Sequence, residues 1–155
     1  MAIKSFQGAT EPIDKNSHDE PVQVSDYMSR NLITFHPEDS ILQVMEQLIK
    51  SKISGGPVVD DYGNLVGMIS EGDCMKQISE CRYYNLPLGD QKVSQYMVSK
   101  VDTLAAETSI FDAAALFHKT KRKRFPVLDG GILVGQISRT DVLKAALYLK
   151  SNHWK

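Results

Sequence analysis

The chain carries one pattern twice. Val24-Ser25-Asp26-Tyr27-Met28 returns as Val93-Ser94-Gln95-Tyr96-Met97, and Thr34, Ser40 and Pro57 return as Thr103, Ser109 and Pro126, all at a lag of 69 residues. Further on the lag falls to 68, so that Gly67-Met68-Ile69-Ser70-Glu71-Gly72-Asp73 matches Gly135-Gln136-Ile137-Ser138-Arg139-Thr140-Asp141. The missing residue lies in the turn, where Asp60-Asp61-Tyr62-Gly63-Asn64 becomes the tighter Asp129-Gly130-Gly131. An internal repeat constrains the architecture more than any composition can, because a fold built from it has to use one structural unit twice.

Each copy reads as strand, helix, strand, strand, helix. Leu32 to Phe35, and its counterpart around Val101 to Leu104, are short and apolar enough for a strand. Ser40 with Gln43, and Ser109 with Asp112, have the spacing of a capping box. Behind them Ile41, Val44, Met45 and Leu48, then Ile110, Ala113, Ala114 and Phe117, recur at the interval of one helix face. Pro57-Val58-Val59 and Phe125-Pro126-Val127-Leu128 open hairpins, with proline expected at the strand start, and Leu65 to Ile69 and Ile132 to Ile137 close them. The second helices present Cys74, Met75, Ile78 and Cys81, and Val142, Leu143, Ala146 and Leu149, as their apolar faces. The expected fold class is therefore α/β (α+β), with two pseudo-symmetric β-α-β-β-α units packed through their sheets.

The expected boundaries are a polar N-terminal arm at 1–21, a first unit at 22–84, a connector at 85–92, a second unit at 93–149, and a tail at 150–155 that ends in His153-Trp154-Lys155. Eighteen basic against nineteen acidic side chains leave a net charge of −1, so no global field draws the protein to nucleic acid or membrane, and an anion site has to be built locally. No apolar run approaches the about 18 residues of a membrane span and the start lacks a signal-peptide pattern, which makes a cytoplasmic location the expectation. Cys74 and Cys81, seven apart on one helix, stand about 10 Å apart along its axis, too far for a disulfide, and read as small core residues.

Both Ser-x-x-Asp motifs sit where a strand hands over to a helix. That junction offers unpaired N–H groups and a partial positive charge, which suit an anion. The same residues also make an ordinary helix cap, contributing about 0.5 to 2 kcal/mol with no ligand at all. Spacing within one copy does not separate the two readings.

The doubled unit, the Tyr-Met turn, Ile53-Ser54-Gly55-Gly56-Pro57-Val58-Val59-Asp60 and the two Gly-x-x-Ser-x-x-Asp stretches resemble a tandem pair of cystathionine-β-synthase (CBS) domains, a Bateman module, over roughly Val22 to Leu149. The resemblance implies an adenosine-containing ligand, AMP, ADP, ATP or S-adenosylmethionine, bound in the cleft between the units, and association into flat homodimers. In that reading Asp73 and Asp141 accept from ribose hydroxyls while Ser70 and Ser138 face the ribose or phosphate. It further implies that the residues two and three before the proline point to phosphates. These are Arg124 and Lys123 in the second copy, against Gly55 and Ser54 in the first.

Arginine grips a phosphate with two parallel hydrogen bonds and glycine offers only space, so unit two is expected to serve the phosphates while Ser54-Gly55-Gly56 leaves room for base or ribose. Candidate walls for adenine are Met28, Ile33, Thr34, Ile53 and Met68, with Met97, Thr103 and Gln136 as their partners, and Pro57 and Pro126 complete the site. Asp102 departs from the pattern, either repelling phosphate or pairing with the basic run Lys119 to Arg124.

The four histidines lack ligand spacing, and no zinc, serine-elbow or Walker motif occurs, so neither a catalytic nor a metal site is expected. The expectation is a stand-alone, non-enzymatic adenine-nucleotide sensor with no obligatory cofactor. It would signal to an unknown downstream protein through a change of conformation or dimer state. A ligand-free dimerisation scaffold is the alternative, and a nucleic-acid adaptor using the basic run is the weaker third reading.

Overall fold

The computed structural model describes residues 22–87 and 91–153. The expected arm at 1–21, the centre of the connector and Trp154 lie outside them. In chain order the elements are α1 (Val24–Tyr27), α2 (Ile41–Ser51), β1 (Gly55–Val59), β2 (Leu65–Ser70), α3 (Glu71–Tyr84), α4 (Val93–Tyr96), β3 (Leu104–Ala105), α5 (Ile110–Thr120), β4 (Arg124–Asp129), β5 (Ile132–Ser138) and α6 (Arg139–His153).

These elements group into two compact units whose limits are shifted from those of the repeats. Residues 32–101 form one, and residues 22–31 together with 102–153 form the other. The leading turn of each repeat is thus built into the unit that carries the other repeat's hairpin. Val24 N–H donates to Thr108 O (2.8 Å) and Ile110 N–H to Val22 O (3.0 Å), while Val93 N–H donates to Asp39 O (2.9 Å) and Ile41 N–H to Gln91 O (3.0 Å). The two sets occupy equivalent positions, so the exchange is itself pseudo-symmetric.

In the unit of residues 32–101, α2 starts as its sequence demands. Ser40 Oγ accepts from Gln43 N–H (3.2 Å) and Gln43 Oε1 accepts from Ser40 N–H (2.8 Å), the reciprocal pair of a capping box. Ile41, Val44 and Leu48 are buried with Phe35, Val58, Ile69, Cys74 and Val93 in one core. β1 and β2 pair antiparallel from Gly55 opposite Ser70 to Val59 opposite Leu65, with a bulge after Val58. Leu32 to Phe35 is not a full strand. It contributes one parallel bridge, Phe35 to Val58, held by Phe35 N–H to Pro57 O and Val59 N–H to Phe35 O. β1 begins at Gly55, two residues before the expected proline start.

In the other unit, β3, β4 and β5 form a sheet in that order, β3 parallel and β5 antiparallel to β4. Phe125, Val127 and Ile137 are fully buried with Val24, Leu104 and Ala113, and side chains of their size contribute about 1.5 to 3 kcal/mol each when removed from water. The Ser109 cap is one-sided. Ser109 Oγ accepts from Asp112 N–H (3.1 Å), but the Asp112 carboxyl turns inward and its Oδ1 is buried without a hydrogen-bond partner, so the expected reciprocal box does not form.

The second helix of each repeat buries only part of the face expected, Cys74 and Cys81 on α3 and Val142 on α6. Cys74, Gln77 and Cys81 are buried on α3, and Val142 and Ala145 on α6, whereas Met75, Ile78 and Leu143 are exposed. Both helices carry apolar residues on two sides, so periodicity has no single stripe to select. Both cysteines are free thiols, and burial, followed by the charges of Asp73 and Glu71, pushes the Cys74 thiol up.

Candidate helix-terminus site

The two Ser-x-x-Asp motifs are both closed as helix caps, but in different ways. At the head of α3, Asp73 Oδ2 accepts from Ser70 N–H (2.9 Å) and also from the Ser70 hydroxyl (3.1 Å), so the serine's proton is already used. At the head of α6, Asp141 Oδ2 again accepts from the serine N–H (2.9 Å), while Ser138 Oγ accepts from Asp141 N–H (3.2 Å). Ser138 Oγ thus acts as an acceptor, where Ser70 Oγ is bonded to its own aspartate carboxylate. A carboxylate has about four acceptor positions, so Asp141 retains capacity on Oδ1 for a ligand hydroxyl.

Strand register decides what stands beside each cap. Arg124 lies opposite Ser138 across the β4–β5 hairpin, which brings the arginine to the positive end of α6. Gly55 lies opposite Ser70 in the other unit, and Glu71 N–H donates to Ser54 O (2.9 Å). Lys123 follows the same line, its carbonyl accepting from Arg139 N–H at 3.4 Å. Asp102 pairs with Arg122 at 3.0 Å, both side chains half exposed, which resolves its two expected roles in favour of pairing with the basic run.

The remaining expected residues divide between the units. Met28, Thr103, Pro126 and Gln136 lie with Ser138 and Asp141. Ser29 and Gln136 exchange backbone hydrogen bonds (2.9 and 3.0 Å), which sets Met28 over Gly135, and Gln136 Oε1 is buried without a partner. Ile33, Thr34, Ile53, Ser54, Gly56, Pro57, Met68 and Met97 lie with Ser70 and Asp73. Of these, Ile33, Ile53 and Met97 pack against the hydrophobic core.

Glycine 56 does not leave room on its Cβ side. A β-carbon there would stand 2.8 Å from Ile33 O and 3.0 Å from the Phe35 ring, so the space it opens admits the chain itself. Ile33 and Thr34 also line a polar cavity of about 340 Å³ with Asp39, Gln43 and Gln47. None of those three is expected from sequence as a site residue, Gln43 being read there as the cap partner of Ser40. No group of His, Cys, Asp or Glu among the described residues could hold a metal ion, and none of the described helices is long and apolar enough to cross a membrane.

The family model for the CBS domain matches the chain twice, over residues 24–80 and 93–148. The chain belongs to the CBS domain family. An uncharacterised protein of Methanocaldococcus jannaschii is 30% identical across 85% of this CBS chain and 95% of its own length. The chloroplastic CBS domain-containing protein CBSX2 of Arabidopsis thaliana is 29% identical, and the alignment spans 82% of this chain and 64% of that one. Another M. jannaschii relative, 31% identical, is spanned over only 32% of its length, so CBS pairs of this kind also occur within longer chains. Among solved structures, CBSX2 in complex with AMP superposes with a TM-score of 0.73 at 32% identity, covering 83% of this chain and 98% of that one. The CBS pair of protein MJ0100, in complex with 5′-methylthioadenosine and S-adenosylmethionine, does so with a TM-score of 0.69 at 26% identity, covering 83% and 98%.

Proposed function

We propose that this CBS pair is a non-enzymatic regulatory module that binds an adenosine-containing ligand of the AMP, ADP or ATP class, with S-adenosylmethionine as the nearest variant. It works as a homodimer whose shape or assembly is read by a downstream protein. The observation that carries the reading is the head of α6. There the Ser138 hydroxyl is not bonded to its own aspartate carboxylate among the described bonds, the second oxygen of Asp141 adds acceptor capacity, and Arg124 stands opposite Ser138 in register, which together suit a ribose phosphate. The AMP complex of CBSX2 and the adenosine-ligand complex of MJ0100 support the ligand class. The Ser70–Asp73 end is the weaker partner, because its hydroxyl proton is already bonded internally.

A second reading, a ligand-free dimer scaffold, is favoured by one fact: both motifs are complete caps without a ligand. Titration calorimetry and thermal shift with AMP, ADP, ATP, S-adenosylmethionine and NADH separate the two. A binder shows stabilisation that grows with ligand concentration. Flat responses to the whole panel at millimolar ligand leave the scaffold reading standing.

A further inference from the structure

The Tyr-Met turn of each repeat rests on a hairpin through a methionine sulfur. Met97 Sδ lies 2.7 Å from the point a β-carbon on Gly67 would occupy, and Val98 O lies 2.9 Å from the same point. Met28 Sδ and Ser29 O stand at 2.6 and 2.8 Å from the corresponding point on Gly135. Beside each sulfur, turn and hairpin exchange two backbone hydrogen bonds. Met68 N–H donates to Val98 O (2.9 Å) and Val98 N–H to Met68 O (2.8 Å), and Ser29 and Gln136 are joined in the same way. The two sulfurs differ in access. Met28 is 9% exposed and belongs to a hydrophobic core, whereas Met97 is half-buried and packs against the outside of the other core.

We infer that these methionines form a peroxide-sensitive latch on the Tyr-Met turns, with Met97 the first to respond. The Sδ lone pair attacks one oxygen of hydrogen peroxide. An S–O bond forms, the O–O bond breaks, and the departing hydroxide takes up a proton and leaves as water. Sulfur loses two electrons and the peroxide gains them, which turns a flexible apolar side chain into a polar sulfoxide. At Met97 the new oxygen is added to a sulfur set against glycine backbone, with the Val98 carbonyl beside the same notch. A thioether suits that apolar contact and a sulfoxide does not. The wall is backbone and has no side chain to turn aside, so the turn itself is displaced. Its release unpairs Met68 from Val98 and opens that edge of β2. The less exposed Met28 reacts later, so the two copies of the latch respond at different oxidant levels. Met75 on α3 is 63% exposed and belongs to neither turn, which makes it an internal reference. This inference rests on the fold and not on nucleotide binding or on the homodimer.

Stepwise treatment of the full chain with hydrogen peroxide tests it, with peptide mass mapping and amide hydrogen exchange on the same samples. Dithiothreitol after each step reverses a sulfenic acid or disulfide at Cys74 and Cys81 and leaves sulfoxides in place, so the readout belongs to methionine. The expected order of oxidation is Met75, then Met97, then Met28. Oxidation of Met75 alone should change nothing. Oxidation of Met97 should remove exchange protection across residues 93–98 and lower the urea midpoint, while residues 24–29 stay protected until Met28 reacts. The two methionine sulfoxide reductases, one for each epimer, should restore both readouts. Met97→Leu keeps an apolar side chain without a thioether and is expected to hold the 93–98 turn before and after peroxide. Full oxidation of Met97 with unchanged exchange over 93–98 overturns the latch. So does an equal loss of protection in peroxide-treated Met97→Leu, or oxidation of Met28 ahead of Met97. Should leucine itself not seat over Gly67, reductase treatment of the wild type decides, and a loss of protection that persists once the sulfoxide is reduced overturns the proposal.

Discussion

Met28 sets its sulfur into a notch that exists only because residue 135 is glycine. A β-carbon on Gly135 would stand 2.6 Å from Met28 Sδ and 2.8 Å from Ser29 O, and one on Gly67 would stand 2.7 Å from Met97 Sδ and 2.9 Å from Val98 O. The sulfur can swing aside, but the carbonyl is backbone and is paired with the hairpin. Gly135→Ala and Gly67→Ala are therefore expected to cost about 1 to 3 kcal/mol, the usual scale of overpacking. Gly72→Ala is the control. Its added carbon would meet nothing closer than Ser70 Oγ at 3.6 Å, and its helical position favours alanine by about 0.5 to 1 kcal/mol. Urea unfolding midpoints for the three variants check this, and equal losses at all three sites would count against it.

The exchanged turns predict which fragments fold. Residues 32–101 are contiguous and include Val93, Tyr96 and Met97, which complete the core around Ile41, Val58 and Ile69. That fragment should unfold cooperatively in urea. A fragment cut at the repeat boundaries, residues 22–84, lacks α4 and leaves Gly67 uncovered, so it should unfold over a broad range with a reduced m-value. Matching transitions in the two fragments would show that the exchange contributes nothing.

At the α6 head, phosphate and ribose contacts should be separable. Arg124→Ala is expected to weaken AMP binding by about tenfold, the scale of one charge-assisted hydrogen bond, while leaving adenosine unchanged. Asp141→Ala should weaken both ligands, because it removes the ribose acceptor, and should also cost about 0.5 to 2 kcal/mol of stability as a lost cap. Lys119→Ala should alter neither ligand. Calorimetry with AMP and adenosine checks all three, and equal effects of Asp141→Ala and Lys119→Ala would remove the ribose from this site.

Alkaline pH should loosen the unit that contains α4. Burial, and then the hydrogen bond from Tyr96 Oη–H to Glu80 Oε2 at 2.8 Å, push the Tyr96 phenol up to about 12. The folded protein holds this proton more tightly than the unfolded chain, whose tyrosines titrate near ~10. The stabilisation is thus complete below about pH 10 and is lost as the pH rises from there towards about 12. Tyr96→Phe should flatten that part of a plot of urea midpoint against pH. Identical alkaline slopes for the two proteins would contradict the assignment.

Much of the candidate site was legible because its parts are local in sequence. Ser138 and Asp141 are three residues apart, and a serine three residues before a carboxylate at a strand end makes a cap in almost any surroundings. What sequence could not show is which way each serine hydroxyl points. Ser70 and Ser138 carry the same motif, yet one donates to its aspartate and the other accepts from its aspartate's backbone. Gly56 likewise reads as open space until the Ile33 carbonyl is found filling it.

Residue order alone determined the doubled unit, the α2 cap, the two hairpins and the membership of the CBS family's motifs, all of which depend on neighbours a few residues away or on simple repetition at a lag of 69. Tertiary structure decided two further things. It set the buried faces of α3 and α6, because helices with apolar residues on two sides leave the choice to whatever packs against them, and the core selected Gln77 and Ala145 over Ile78 and Ala146. It also set where one unit ends and the other begins, because the Tyr-Met turns find their glycine notches in the opposite repeat. A contact between residues more than a hundred positions apart, such as Met28 on Gly135, leaves no trace in local spacing.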